Sequence, residues 1–276
     1  MKILFPFAKR FIAGININDS SIVFQNHLDQ NFKVIANLVG ENIQSAEKIN
    51  TIYETYSELL SKFSDSDFSI SLKLSSIGLD HEYESTMGNL SKLIESASTN
   101  KQVIRLDMED SRYTDRTIEI CKSIQNDFPG SIGITLQANL HRTERDLEEL
   151  KRNGISIRLV KGAYLENDQI AITDMNLIRQ KFLDYSKLLI TDNNVKHSIA
   201  THDEPILDSI SLNTEMKNHR FEFLYGVRRD LQRRFSNSYE VGVYMPFGEE
   251  WVSYTFRRLK EFKNIRFVAK NLIKEK

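Results

Sequence analysis

The sequence repeats one pattern eight times: a short apolar or alternating run followed by a longer polar segment of helical period. Such runs are typical of β-strands, and apolar residues at every third or fourth position indicate helices. The runs span residues 32–40, 68–78, 103–109, 133–139, 155–163, 197–203, 220–226 and 241–248. Segments 45–63 and 169–190 are examples of the helices predicted between them. The series predicts an α/β fold, a (β/α)8 barrel of the TIM type, and an open doubly wound sheet, which usually has fewer units, is the alternative.

No linker rich in proline, glycine or serine interrupts this series, so we expect one domain over residues 1–276. The helix after the fourth strand opens with Thr143 and Asp146 at the spacing of a capping box, with Asp in place of the usual Glu or Gln.

Composition and charge exclude several classes of protein. The formal net charge is −1, so no global attraction to nucleic acid is expected. Cys121 is the single cysteine, which excludes an intrachain disulfide, fits a reducing compartment and predicts a buried core thiol. The N-terminus lacks the features of a signal peptide, and residues 265–276 favour a solvated closing helix over a membrane-surface segment. The expected location is the cytoplasm, with peripheral contact to the inner face of the membrane left open.

Within a barrel, alternate residues of each strand point inward, and several strands place polar groups there. In the third run, Ile104, Leu106 and Met108 form the outward set. The inward sets of the second, third and fourth runs are Ser71, Lys73, Ser75, Arg105, Asp107, Glu109, Thr135, Gln137 and Asn139. Two interpretations stay open: a layer of satisfied ion pairs, and an interior cavity for a polar or anionic ligand, which we favour.

The fifth run carries Arg158 and Lys161 in the segment RLVKGAY, residues 158–164. A buried guanidinium group costs several kcal/mol unless a partner satisfies it, so an anionic or electron-rich partner is expected. Comparable polar residues fall toward the C-terminal halves of other strands, the end at which barrel enzymes build their active sites. They are Lys73, Asp107, Gln137, Thr201, His202 and Tyr244.

The segment after the eighth run adds a second cationic group. Tyr254, Arg257, Arg258 and Glu261 share one helical face. A solvated face is the alternative for an isolated helix, but this helix directly follows the C-terminal end of the eighth strand. The arginine pair therefore suits a carboxylate ligand.

Several known motifs are absent from the sequence. It has no G-x-G-x-x-G, no Walker A motif, no H-E-x-x-H and no G-x-S-x-G, so no Rossmann site, P-loop, metal site or esterase nucleophile is expected. The remaining histidines are interpreted as surface or structural residues. They are His27, His81, His141, His197 and His219.

With these residues in place, the chain resembles the monofunctional bacterial-type proline dehydrogenases over nearly its whole length. The matching segments are AKRFIAG (8–14), NLVGE (37–41), SLKLSSIGLD (71–80), IRLDMEDS (104–111), GITLQANLHRTERDL (133–147), IRLVKGAY (157–164), ATHD (200–203), LYGVR (224–228) and VYMPFGEEWVSYTFRRLKE (243–261). The resemblance implies a distorted (β/α)8 barrel that binds FAD. It also implies oxidation of L-proline to Δ1-pyrroline-5-carboxylate, the first step of proline catabolism to glutamate, with electrons passed to a membrane quinone.

The resemblance also implies roles for individual residues. The expected catalytic residues are Asp107, Arg158 and Tyr244. The expected substrate-binding residues are Lys73, Tyr164, Leu224, Tyr254, Arg257 and Arg258. The expected FAD-binding residues are Met108, Gln137, Arg158, Lys161, Gly162, Ala163, Thr201, His202 and Glu261. No metal is expected.

In this scheme Arg158 lies near N5 of the flavin, where a cation stabilises the charge of the reduced ring. Lys73, Arg257 and Arg258 hold the substrate carboxylate, and Asp107 pairs with these cations. The tyrosines and Leu224 form the walls around the pyrrolidine ring.

The chain departs from the family pattern in three places. The family usually has further helical sequence before residues 8–14, and here almost nothing precedes them. Arg220 and Glu222 stand in place of Glu and Gln, on one face of the seventh strand, which predicts a rearranged interior ion pair. Asp203 stands in place of Asn.

The resulting hypothesis is an FAD-dependent L-proline dehydrogenase that uses a quinone acceptor. Hydroxyproline dehydrogenase or another cyclic-amine dehydrogenase is the alternative within the class. A non-catalytic barrel with a carboxylate-binding site is the alternative outside it. The sequence predicts no oligomeric state.

Overall fold

The computed structural model describes residues 10–212, 218–252 and 254–255. Eight parallel strands form a closed barrel in which each strand pairs with its sequence neighbours and β8 pairs with β1. The strands are β1 Lys33–Leu38, β2 Phe68–Leu72, β3 Ile104–Leu106, β4 Ile132–Gln137, β5 Ser156–Val160, β6 His197–Ala200, β7 His219–Leu224 and β8 Glu240–Phe247. Each overlaps one of the runs identified in the sequence, and the predicted TIM-like barrel is confirmed.

Helices surround this barrel. They are α1 Ile17–Leu28, α2 Ala46–Lys62, α3 Tyr83–Thr99, α4 Ser111–Asp127, α5 Thr143–Arg152, α6 Met175–Ile190, α7 Glu204–Ser211 and α8 Arg229–Ser236. Helices α2 to α8 follow β1 to β7 in order, and a 3-10 turn, Leu74–Ile77, follows β2. Residues 251–252 and 254–255, after β8, are also helical.

Helix α1 precedes β1 and packs against β1 and β8. Its Phe24 ring is fully buried and meets the ring of Phe247 edge-on, with a centroid separation of 5.5 Å. Before this helix, the amide of Ala13 donates to the carbonyl of Pro246 at 2.8 Å, and the carbonyl of Gly14 accepts from Gly248 at 2.9 Å. The described part of this segment, at Ala13 and Gly14, therefore lies beside the C-terminal end of β8.

Two predictions about helix starts were wrong. Helix α6 begins at Met175 rather than near 169, because the side chain of Asp174 accepts a hydrogen bond from the amide of Leu177 and caps the helix there. Thr143 is not a capping residue: its hydroxyl donates to the carbonyl of Gln137. Asp146 is buried and forms an ion pair with Arg142 instead.

The strand faces are as the alternation predicts. Ile104 and Leu106 are buried in the apolar layer between strands and helices, whereas Arg105 and Asp107 take part in hydrogen bonds inside the barrel. The parity argument fails at Met108, which lines the interior cavity, because β3 ends at Leu106 and the alternation ends with it.

The lower part of the barrel, at the N-terminal ends of the strands, is filled by polar side chains. The Nη1 atom of Arg105 donates to the carbonyls of Ser156 at 2.9 Å and Ile134 at 3.2 Å. Gly133 gives the guanidinium group room, since a Cβ there would lie 2.9 Å from Nη1. Ion pairs join Lys33 to Asp67 and Arg220 to Glu240 at the same end.

Other expectations concern single features. Cys121 is fully buried, and burial raises the pKa of its thiol to about 12, so the predicted core thiol is confirmed. None of the helices in the described ranges has both the length and the apolar character that a bilayer crossing requires. The expected closing helix at 265–276 lies outside the described residues.

Gly133→Ala is expected to destabilise the protein by about 1–3 kcal/mol, because the added Cβ would lie 2.8 Å from the carbonyl oxygen of Ser156, which cannot move without disturbing β5. Gly88→Ala is the matched control: among the described residues, no atom outside the local backbone of α3 lies within 4 Å of the new atom, so a gain of about 0.5–1 kcal/mol is expected. Urea unfolding midpoints at constant m-value measure both changes. A Gly133→Ala midpoint at or above that of the wild type would contradict this account.

Candidate active site

A cavity of about 1130 Å³ opens at the C-terminal ends of the strands. It exceeds the roughly 300–1,000 Å³ typical of small-molecule sites, so it has room for a large cofactor together with a small substrate. The predicted site residues that line it are Lys73, Asp107, Met108, Gln137, Arg158, Lys161, Gly162, Ala163, Tyr164, Thr201, His202, Leu224, Tyr244 and Tyr254. Arg257, Arg258 and Glu261 lie outside the described residues.

Arg158, on β5, lies at the centre of the cavity floor. Its side chain is only 4% exposed and meets carboxylates in two directions. Nη1 donates to Asp107 Oδ1 at 2.8 Å and to Ser71 Oγ at 2.8 Å, while Nε donates to Glu222 Oε2 at 2.5 Å. Burial lowers the pKa of this guanidinium, but the two carboxylates outweigh burial and raise it, so Arg158 remains a cation.

Asp107 joins four other side chains. Besides Arg158, its Oδ1 accepts from Ser71 at 2.8 Å and from Thr135 at 3.2 Å, and its Oδ2 accepts from the Tyr244 hydroxyl at 2.7 Å. These donors come from β2, β4, β5 and β8. One carboxylate therefore connects opposite sides of the barrel.

Tyr244 is held on two sides. Its hydroxyl donates to Asp107, and the guanidinium carbon of Arg158 lies 5.3 Å from the centre of its ring, within cation–π range. Burial and the neighbouring Asp107 carboxylate raise the pKa of the phenol well above its usual value. Tyr244 therefore stays protonated, with its hydroxyl donating to Asp107, and is poorly suited to act as a base.

Lys73 follows β2 and forms an ion pair with Glu41, which follows β1. Both side chains are about one-fifth exposed and line the cavity. The Tyr164 hydroxyl lies 3.5 Å from Glu41 Oε1 and completes this side of the cavity. The sequence predicted that Lys73 would pair with Asp107, whereas the structure pairs it with Glu41.

Lys161, which follows β5, and Arg179, which lies on α6, are two further cations that line the cavity. Lys161 and Arg179 both contact Asp203: Lys161 is ion-paired with Oδ2, and Arg179 Nη2 lies 2.9 Å from Oδ1. The departure Asp203 therefore adds a carboxylate between two cations.

Backbone contacts hold the other predicted cofactor residues. The amide of Ala163 donates to Gln137 Oε1 at 3.3 Å, and Gln137 Nε2 donates to the carbonyl of Glu109 at 3.0 Å. The amide of Leu224 donates to His202 Nε2 at 3.0 Å, which assigns the ring proton of His202 to Nδ1.

Gly162 is required by its conformation. Its φ of +114° belongs to the region that favours glycine, and a Cβ would lie 2.0 Å from Asn139 Oδ1.

Two observations suit a large, polar, electron-accepting cofactor. Arg158 Nη2 is buried and has no hydrogen-bond partner among the described residues, so one edge of this cation keeps its donors unused. Lys161 and Arg179 supply positive charge elsewhere in the same cavity, as a diphosphate would need. The residues present therefore fit a flavin dinucleotide.

The family model described as proline dehydrogenase matches residues 23–270. The chain belongs to the proline dehydrogenase family. Proline dehydrogenase 2 of Bacillus subtilis (strain 168) is 30% identical over 97% of this chain and 91% of its own length. The proline dehydrogenase of Deinococcus radiodurans is 31% identical over 97% of this chain and 90% of its own. The chain is thus an oxidoreductase of proline metabolism.

Solved structures agree on the fold. Proline utilization A of Bdellovibrio bacteriovorus, inactivated by N-propargylglycine, superposes with a TM-score of 0.83 at 19% identity. The superposition covers 94% of this chain and 33% of that one. The corresponding protein of Bradyrhizobium japonicum gives a TM-score of 0.76 at 18% identity, over 95% of this chain and 32% of that one. The chain spans about a third of either protein.

Glu41, Glu222 and Arg179 are among the cavity residues that received no role from the sequence. Glu41 lies in a segment used for the family resemblance, but nothing in its spacing indicated Lys73. Glu222 was noted as a departure and expected beside Arg220; the structure pairs it with Arg158, and Arg220 pairs with Glu240. Arg179 lies in a predicted helix, and no feature of the sequence indicated that its side chain would line the cavity.

Asp107→Asn and Tyr244→Phe should not be additive in their effects on unfolding free energy. Each removes part of the same hydrogen bond, so a double-mutant cycle should give a coupling of about 1–2 kcal/mol. Asp67→Asn with Tyr244→Phe is the control pair: Asp67 pairs with Lys33 at the other end of the barrel, and additivity within about 0.5 kcal/mol is expected. Equal coupling in the two cycles would show that the Asp107–Tyr244 contact does not link the strands.

Proposed function

We propose that the chain, as a single barrel domain over residues 1–276, binds FAD and oxidises L-proline to Δ1-pyrroline-5-carboxylate. The observation that carries this proposal is Arg158: a buried cation on the cavity floor, held on two sides by carboxylates, whose Nη2 has no hydrogen-bond partner among the residues that the structure describes. Membership in the family supports proline as the substrate. The proposal goes beyond family membership by naming FAD as the cofactor, Δ1-pyrroline-5-carboxylate as the product and a quinone as the electron acceptor.

FAD, when bound, supplies the acceptor for a hydride. Arg158 would lie against its ring, where a fixed cation stabilises negative charge that develops as hydride is accepted. Gln137 and His202 would supply polar contacts to the ring, and Lys161 and Arg179 would supply positive charge for the diphosphate. Met108, Gly162, Ala163 and Thr201 would contact the cofactor, and Glu261 would support it.

Lys73, Arg257 and Arg258 would bind the substrate carboxylate. In the described cavity Lys73 is ion-paired with Glu41, so a bound carboxylate would share that lysine with Glu41. Tyr164, Leu224, Tyr244 and Tyr254 would enclose the pyrrolidine ring. Positioning of C5 then supplies much of the acceleration.

The hydride step itself needs no basic side chain. When the amine of proline is neutral, loss of hydride from C5 leaves a protonated imine, and the proton passes to solvent later. This agrees with the state of Tyr244, whose hydroxyl is bound to Asp107 and whose pKa is raised. A quinone would then take the electrons, and cytoplasmic location with peripheral membrane contact would suit that partner.

A hydroxyproline or other cyclic-amine dehydrogenase is the nearest other function. The Tyr244 hydroxyl is already committed to Asp107, so it is a poor partner for a hydroxyl on the substrate ring. This observation favours proline over the hydroxylated substrate.

The flavin and its reduction are directly testable. Protein incubated with FAD and freed of excess should be yellow, and anaerobic L-proline should bleach the flavin absorbance. Arg158→Met should slow this bleaching by roughly 100-fold, because it removes the fixed cation. Arg145→Met is the matched control, since Arg145 is 71% exposed on α5, and it should bleach at the wild-type rate.

Folded protein that stays colourless after incubation with FAD would refute the flavoenzyme proposal. Yellow protein that L-proline leaves unbleached would refute proline as the substrate.

Tyr244 is expected to set the preference for L-proline over trans-4-hydroxy-L-proline. A ring hydroxyl would lose water without a partner, which costs roughly 1–3 kcal/mol and predicts a preference of about 10- to 200-fold. Tyr244→Ser opens space and supplies a hydroxyl, so proline activity should fall and the preference should narrow or reverse. Tyr83→Ser, on the exposed start of α3, is the control. The measured quantity is the ratio of kcat/KM for the two substrates, and an unchanged ratio in Tyr244→Ser would remove Tyr244 from the substrate wall.

A further inference from the structure

We infer that Glu222 is a tuning residue that lowers the reduction potential of the bound flavin by offsetting the charge of Arg158. The inference rests on the proposed flavin site. Glu222 lines the same cavity as the residues proposed to hold the flavin.

The contact between the two residues crosses a strand. Glu222 lies on β7 and Arg158 on β5, with β6 between them, and Glu222 Oε2 lies 2.5 Å from Arg158 Nε. The Glu222 side chain is 2% exposed. Its register partner on β8 is Gly242, where a Cβ would lie 3.1 Å from Glu222 Cγ. The missing side chain at Gly242 gives the carboxylate its place inside the barrel.

Glu222 is ionised at this place. Burial alone would raise the pKa of the carboxyl group, but the guanidinium groups of Arg158 and Arg105 outweigh burial and hold the pKa at about 2. A full negative charge therefore lies in direct contact with Arg158 over the whole working range of pH.

The negative charge of Glu222 changes the net charge of the group formed by Arg158 and its carboxylate partners. Asp107 alone would neutralise the guanidinium, and Glu222 adds a second carboxylate, so the three groups together carry a net charge of −1. Arg105 is the next cation, and it is fixed lower in the barrel by the carbonyls of Ser156 and Ile134. A reduced flavin carries more negative charge than an oxidised one, so the extra carboxylate disfavours reduction.

Geometry alone does not explain a carboxylate here. Nη1 of Arg158 is already oriented by Asp107 and Ser71. The amide oxygen of a glutamine could accept the Nε hydrogen in the same way. The property that Glu222 adds beyond glutamine is its charge, and charge affects the electron affinity of a neighbouring ring.

The test is the midpoint potential of the FAD-loaded protein, measured by anaerobic spectroelectrochemistry at pH 7.5 or a similar fixed pH. Glu222→Gln should make the flavin easier to reduce: at the wild-type midpoint its ratio of reduced to oxidised flavin should be at least tenfold higher. For a two-electron couple this is a shift of about +30 mV or more. Glu240→Gln is the matched control, because it also removes a carboxylate paired with an arginine, but at the opposite end of the barrel, and it should shift the ratio less than twofold.

Glu222→Asp provides a second variant should Glu222→Gln not fold. It keeps the charge but withdraws it from Nε by one methylene group, so a smaller shift in the same direction is expected. A midpoint unchanged in each folded Glu222 variant, or moved in the opposite direction, would overturn the inference. Because wild-type FAD content and bleaching by L-proline are measured separately, failure of the tuning role is distinguishable from failure of the proposed function.

Discussion

The contact between Asp107 and Arg158 organises the interior of this barrel. Each group alone would be a buried charge that costs several kcal/mol, and their ion pair offsets part of that cost for both. Around this pair, Ser71, Thr135 and Tyr244 complete the lone pairs of Asp107, so strands on opposite sides of the barrel share one hydrogen-bond network. The cavity above this network takes its shape and its charge from it.

The sequence predicted the architecture because the strands of a barrel can be recognised from short apolar runs and period-two alternation. It also predicted which residues meet, since C-terminal ends of parallel strands converge at one mouth; Lys73, Arg158, Thr201 and Tyr244 all line a single cavity. The predicted side-chain direction failed at Met108, because the alternation stops where β3 ends. The predicted capping box failed at Thr143, because its hydroxyl donates to the carbonyl of Gln137 instead.

Side-chain partners were harder to predict than positions. Arg158 reaches Glu222 across β6, and Lys73 reaches Glu41 rather than Asp107, because such pairs depend on the stagger of strands around the closed barrel. Physical reasoning on the residues alone gives a barrel with an interior suited to an anion. The flavin and proline enter from the resemblance to a family, and two of the chain's departures from that family, Asp203 and Glu222, each add a carboxylate against a cation of the cavity.

The filled lower barrel has a consequence for how the substrate and the electron acceptor reach the cavity. Arg105 and the ion pairs of Lys33 and Arg220 occupy the N-terminal end of the barrel, whereas the described cavity lies at the C-terminal ends of the strands. On the proposed function, the amino acid and the electron acceptor would then both reach the flavin from the C-terminal end of the barrel. A floor occupied by paired side chains would thus make the two halves of the proposed reaction compete for the same end of the barrel.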